Sequence, residues 1–211
     1  MKRLLVVAGL AIVAVGGTLG GLLAMRGSGS THAAYPPSGP YKGGKPPPGI
    51  RAPEFALQSY RGPTIRMHDL RGKVVVVTFL DTACRDKCPI IASEIGSAWR
   101  LLTPSERANT DALAITVLPQ VDTSARVRMF LSQRHALRAL DWLIGPVSEL
   151  PKVWKAYFVL AAANSGNASV HSAGVRIFDR RGIWVSDLSV GVELTPANLA
   201  HDIRVALRAA H

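Results

Sequence analysis

"KVVVVTFLDTACRDKCPII" (residues 73–91) runs from a β-branched stretch straight into the chain's only two cysteines, Cys84 and Cys88. An unbroken run of this kind is the pattern of a strand buried on both faces. Pro89 suits the first turn of a helix, and Ile91, Ile95, Ala98, Trp99 and Leu102 continue at helical spacing. The stretch therefore predicts a strand, a short loop holding both thiols, and a helix. Open α/β folds expose such strand-end loops as sites, and the polarity of a helix N-terminus stabilises a thiolate there. With three residues between them, the sulfurs point the same way once the loop has turned toward helix.

The elements on either side extend the unit. "ALAITVL" (112–118) is a second buried strand, and Asp122-Thr123 is placed to cap a helix running to about residue 135. "DWLIG" is a short strand, and Leu150, Val153, Trp154 and Tyr157 mark a helix face. "GVRIFD" and "IWVSDL" flank Arg180-Arg181-Gly182 as a hairpin. Thr195-Pro196 opens a last helix through Leu199, Ile203 and Leu207. Upstream, "PEFAL" and "TIRMHDL" around Arg61-Gly62 read as a small hairpin. The fold class expected is α/β, a thioredoxin-like fold with an N-terminal β-hairpin extension.

Three regions are expected in the chain. Residues 1–26 open with Lys2-Arg3 and continue apolar and uncharged from residue 4 to 25. Such a stretch reaches about 33 Å as a helix, enough to span a bilayer core. A cleaved signal peptide shares the charged start, but its apolar region is usually shorter, and His32-Ala33-Ala34 is a poor cleavage site. The reading adopted is one uncleaved transmembrane helix, with the remainder on the exported side of the cytoplasmic membrane. Residues 27–50 are rich in Pro, Gly and Ser and read as a linker. Residues 51–211 are one domain's worth of chain.

The net charge of +11 overstates the domain's basicity, because the first fifty residues hold five Lys or Arg and no acid, leaving +6. No basic block with interleaved aromatics is present, so nucleic acid is not an expected partner. A basic face suits an acidic protein or an anionic surface.

Export places the thiols in an oxidising compartment, where a close pair becomes a disulfide unless it has other work. A bridge closing so short a loop stabilises weakly, which favours a redox device or a metal site over a plain structural staple. His68, His135, His201 and His211 read as surface or capping residues. His171, in "NASVHSAGVRIFD", enters the late hairpin, and in a thioredoxin-like fold that loop lies near the thiols. Two thiolates and an imidazole suit copper, cuprous ion above all, better than calcium or magnesium. Zinc is compatible by ligand type, though it usually takes four ligands.

"GKVVVVTFLDTACRDKCPIIASEI", "QVDTSARVRMFL" and "VHSAGVRIFDRRG" together resemble the Sco/SenC family over about residues 50–208. These are membrane-anchored, thioredoxin-like copper proteins that assemble the binuclear copper centre of cytochrome c oxidase. The resemblance implies that Cys84, Cys88 and His171 are the copper ligands, and that Asp122-Thr123 is the family's Asp-Thr element. It implies as partners the copper-bearing subunit of the oxidase, with other copper chaperones or thiol reductants. The chain departs from the family at Arg85 and Lys87, between the cysteines, and at Val170 before the histidine. Two cations there are expected to lower the thiol pKa values and to repel a bound cation.

A thiol–disulfide oxidoreductase that reduces a partner's copper-ligand cysteines is the alternative, with Cys84 attacking and Cys88 resolving. A peroxiredoxin-type peroxidase is disfavoured, because Val77 and Asp81 stand where its Pro and Thr precede the reactive cysteine.

Overall fold

A computed structural model of the chain describes residues 39–159 and 174–209. The expected membrane helix, the first part of the linker, His171 and His211 lie outside the described residues. Among those described, no helix is long and apolar enough to cross a membrane.

Among the described residues, seven strands form one mixed sheet. In chain order they are β1 (Ala56–Ser59), β2 (Thr64–Arg66), β3 (Val74–Leu80), β4 (Thr110–Thr116), β5 (Asp141–Gly145), β6 (Gly174–Phe178) and β7 (Trp184–Ser189), and across the sheet they run β2-β1-β5-β4-β3-β6-β7. The helices are α1 (Lys87–Leu101), α2 (Pro104–Ala108), α3 (Ser124–Gln133), α4 (Leu150–Ala156) and α5 (Pro196–Arg208). β3 is buried along its whole length between parallel β4 and antiparallel β6. Its side chains alternate between two cores, as the pleat requires. Val74, Val76 and Leu80 pack with α1, α3 and α5, whereas Val75, Val77 and Phe79 pack with α4 and the N-terminal hairpin. This is the helix–sheet–helix arrangement expected of a thioredoxin-like fold, with the hairpin extending the sheet from β5.

Within the described residues the strands and helices read from the sequence are present, and three details differ. The second half of "TIRMHDL" is a single 3-10 turn, Met67–Leu70, after a strand of only three residues. α1 begins at Lys87, two residues before Pro89, because a proline in the first turn forgoes only an N–H that would have no helical partner there. That shift places Cys88 inside the helix. α2 was not expected, although its signature is legible: Thr103 accepts from the Glu106 backbone N–H while Glu106 accepts from that of Thr103, with Pro104 between them.

The linker reading needs correction over its second half. From Tyr41 onward the chain is part of the domain. Gly44 and Asp187 exchange both backbone hydrogen bonds, at 2.8 and 3.1 Å, and the Trp184 N–H donates to the Ile50 carbonyl at 2.8 Å. The segment thus covers the outer edge of β7, an edge that would otherwise stand open. The N–H groups of Lys42 and Gly43 donate to the buried Asp202 carboxylate at 2.7 and 2.9 Å. Gly43 is required by close approach: a Cβ there would lie 2.2 Å from Ser186 Oγ and 2.7 Å from the Asp187 carbonyl. The glycines that resemble flexible filler fit the backbone against the sheet.

Candidate metal centre

β3 ends at Leu80, and the loop that follows is built around two aspartates. Asp81, fully buried, accepts the backbone N–H groups of Ala83 at 2.9 Å and Cys84 at 2.6 Å. Asp122, also buried, accepts the Thr82 N–H at 2.9 Å, the Thr82 hydroxyl at 2.6 Å and the Thr116 hydroxyl at 2.6 Å. It ties the thiol loop to the end of β4 and the start of α3. Burial raises the Asp122 carboxyl pKa although all three bonds oppose that rise. The expected Asp-Thr cap therefore divides its labour. Thr123 caps α3, accepting the Arg126 N–H, and Asp122 braces the thiol loop.

The two sulfurs are brought together but sit in different surroundings. Cys84 is half-buried and Cys88 fully buried. The Cys88 N–H, in the first turn of α1, donates to Cys84 Sγ at 3.4 Å, so this sulfur stands where a capping oxygen usually does. A backbone donor and the positive end of the helix both meet this sulfur. The Cys88 thiol is shifted up, by its hydrogen bond with Cys84 and then by burial. The expectation that Arg85 and Lys87 lower the thiol pKa values is not met at Cys88, where the net shift is upward. Both cations are exposed, where solvent screens them.

Asp81, Cys84 and Cys88 form one donor cluster, with ligand atoms all within 4.8 Å of one another. Sequence reasoning missed Asp81 as a member. Its signal was a carboxylate three residues ahead of the first cysteine, at the end of a buried strand. The histidines set aside as surface residues remain apart from the cluster where described. His68 pairs with Asp69 at 2.8 Å, His135 is exposed at φ 53°, and His201 Nδ1 lies 2.9 Å from Asp202. Two sulfurs and an oxygen suit a transition ion better than calcium or magnesium.

At the same end of the sheet, the Thr78 hydroxyl of β3 donates to the Gly174 carbonyl at 2.9 Å, where β6 begins. Arg176 of β6 is largely buried. It donates to the Tyr157 carbonyl, lies 5.0 Å above the Trp184 ring, and pairs with Asp187 at 3.7 Å.

The chain matches the SCO1/SenC family model over residues 45–208. It belongs to the SCO1/SenC family. Among solved members, Bradyrhizobium japonicum ScoI with copper bound is 28% identical, covering 75% of this chain and 100% of that one, with a TM-score of 0.63. Yeast Sco1 with copper bound is 22% identical over 76% of this chain and 90% of that one, also at 0.63, a likeness of fold. A candidate copper-binding protein of Stutzerimonas stutzeri is 28% identical over 125 residues, 58% of this chain. The match spans 60% of that relative's length. The family assignment agrees with the described start of the SCO1/SenC domain before residue 51.

The buried Arg176–Asp187 pair of β6 and β7 yields a pH prediction. Burial, with Glu193 adding to it and Arg176 opposing it, pushes the Asp187 carboxyl up to about 6, against an ordinary 3.8. A folded-state value above the unfolded one means that this group's stabilising contribution is complete below about pH 4. It is lost as pH rises through 6. In urea titrations from pH 4 to 7, wild type should lose about 3 kcal/mol relative to Asp187→Asn. Parallel pH profiles for the two proteins would contradict the shift.

Proposed function

We propose that this chain is a membrane-anchored copper carrier that delivers copper to, or helps to assemble, the binuclear copper centre of cytochrome c oxidase. The observation that carries the reading is the Cys84–Cys88 pair, held together at the N-terminus of α1 on the carboxyl end of β3, in a chain of the SCO1/SenC family. Soft sulfur donors select cuprous ion, and the copper-bound ScoI relative supports the same cargo.

His171 is the proposed third ligand. It lies three residues before Gly174, which β6 holds against Thr78 near the thiol loop. Residues 4–25 are proposed as the anchor, with the domain on the exported side and the copper-bearing oxidase subunit as acceptor. Arg85, Lys87 and Arg126 are exposed around the thiol loop and suit an acidic acceptor surface.

One observation favours a second reading, reduction of a partner's copper-ligand cysteines. The half-exposed Cys84 and the buried Cys88 with its raised thiol have the arrangement of an attacking and a resolving thiol.

His171→Ala separates the two. A carrier needs the imidazole to complete its ligand set, whereas thiol–disulfide exchange does not use it. Copper affinity should fall at least tenfold, about 1.4 kcal/mol, while formation and reduction of the Cys84–Cys88 disulfide continue. In cells at limiting copper, oxidase maturation should fail and recover with added copper. Normal maturation in this variant, alongside failure in both cysteine variants, would replace the carrier with the reductase.

A further inference from the structure

Asp81 does more than turn the loop. It is fully buried at the end of β3, and two backbone N–H groups fix its carboxylate. That carboxylate shares with both sulfurs a cluster in which the ligand atoms lie within 4.8 Å of one another. A first-row ion such as zinc stands about 2.0–2.3 Å from its donors, so a small closure of the loop would bring all three onto one ion.

We infer that Asp81 is an oxidation-state-selective member of the copper site, an oxygen donor that strengthens binding of Cu(II) over Cu(I). The inference rests on the copper-carrier reading and goes beyond its ligand set of two thiolates and an imidazole. Two arguments lead to it. Carboxylate oxygen is a hard donor that adds little to a cuprous ion already held by thiolates, whereas cupric ion favours tetragonal sites with oxygen and nitrogen ligands. The Coulomb attraction of one negative charge for a doubly charged ion is twice that for a singly charged ion at the same distance and dielectric. Both effects act in the same direction. The hydrogen bonds from Ala83 and Cys84 hold the carboxylate in place without a long, mobile side chain.

Asp81→Asn removes the charge and keeps an oxygen able to accept both N–H bonds. The purified domain, residues 39–211, would be reduced and titrated anaerobically with Cu(II) against a competing chelator, and separately with Cu(I). Cu(II) affinity should fall at least tenfold and Cu(I) affinity less than threefold, with a displaced thiolate-to-Cu(II) absorption band. Equal losses for both ions would overturn the inference and leave Asp81 as a brace for the loop. Unchanged affinities would overturn it as well. Asp81→Glu serves if the amide variant does not fold. A Cu(II)-to-Cu(I) affinity ratio near that of wild type supports the inference, and a tenfold fall in that ratio overturns it. Failure of wild type to bind either ion would instead defeat the copper-carrier reading itself.

Discussion

Cys88→Ser should abolish tight copper binding, taking the domain from one equivalent to none at micromolar concentrations. The serine hydroxyl is a hard donor, and a buried site with one thiolate cannot replace the second soft ligand. We expect a loss of at least about a thousandfold, about 4 kcal/mol. The fold should survive. Cys88 is fully buried in the first turn of α1, packed with Ile91 and Ala92, and a slightly smaller polar side chain there costs about 1–3 kcal/mol if its hydroxyl lacks a partner. Cys84→Ser should lose copper equally but remain nearer wild type in stability, because Cys84 is half-buried and an oxygen can accept the Cys88 N–H in place of sulfur. Titration with copper, followed by chelator competition and thiolate absorption, reads both variants. Retention of one equivalent at unchanged affinity in Cys88→Ser would defeat the site assignment.

Asp202→Ala should be the most destabilising single change outside the apolar core. This fully buried carboxylate on α5 receives the N–H groups of Lys42 and Gly43 at 2.7 and 2.9 Å and the Ser186 hydroxyl at 2.7 Å, and contacts His201 Nδ1 at 2.9 Å. Truncation strands several buried donors at once. Hydrogen bonds to charged groups contribute about 1.5–3 kcal/mol each, not additively, so a loss of about 3–5 kcal/mol is expected. That lowers the thermal midpoint by roughly 10–15 °C in a domain of this size. The loss should be shared with the N-terminal segment. A domain beginning at residue 45 should lose much of the same stability, and adding Asp202→Ala to it should cost far less than in the longer protein. Additive losses would show that the docked segment and the carboxylate are independent.

These two predictions differ in how much of them the sequence carried. The seven buried residues of β3, the proline after Cys88 and the four-residue cysteine offset are local patterns. Backbone preference and side-chain period act over a few residues, and they sufficed to place two thiols at a strand end facing a helix N-terminus. The hairpins at Arg61-Gly62 and Arg181-Gly182 were legible for the same reason: Gly62 and Gly182 adopt φ of 114° and 75°, a region that glycine enters freely.

The aspartates were not legible in this way. What a carboxylate does depends on which donors meet it, and those donors come from far along the chain. Asp202 holds residues 159 and 160 positions away, and Asp122 holds Thr82 from 40 away. Sequence spacing records none of this. Asp81 read as a departure from a peroxidase pattern until folding placed its oxygens beside both sulfurs. The glycine pair at residues 43–44 read as linker because a glycine fitted against a sheet and a glycine in solvent are the same letter. By itself, the sequence determined the strand–loop–helix frame, the cysteine pair and the family resemblance. Only the tertiary structure decided where the domain begins, which acid braces the thiol loop and which joins its donor cluster. Burial and long-range hydrogen bonding set those roles, and both arise only once distant segments are packed together.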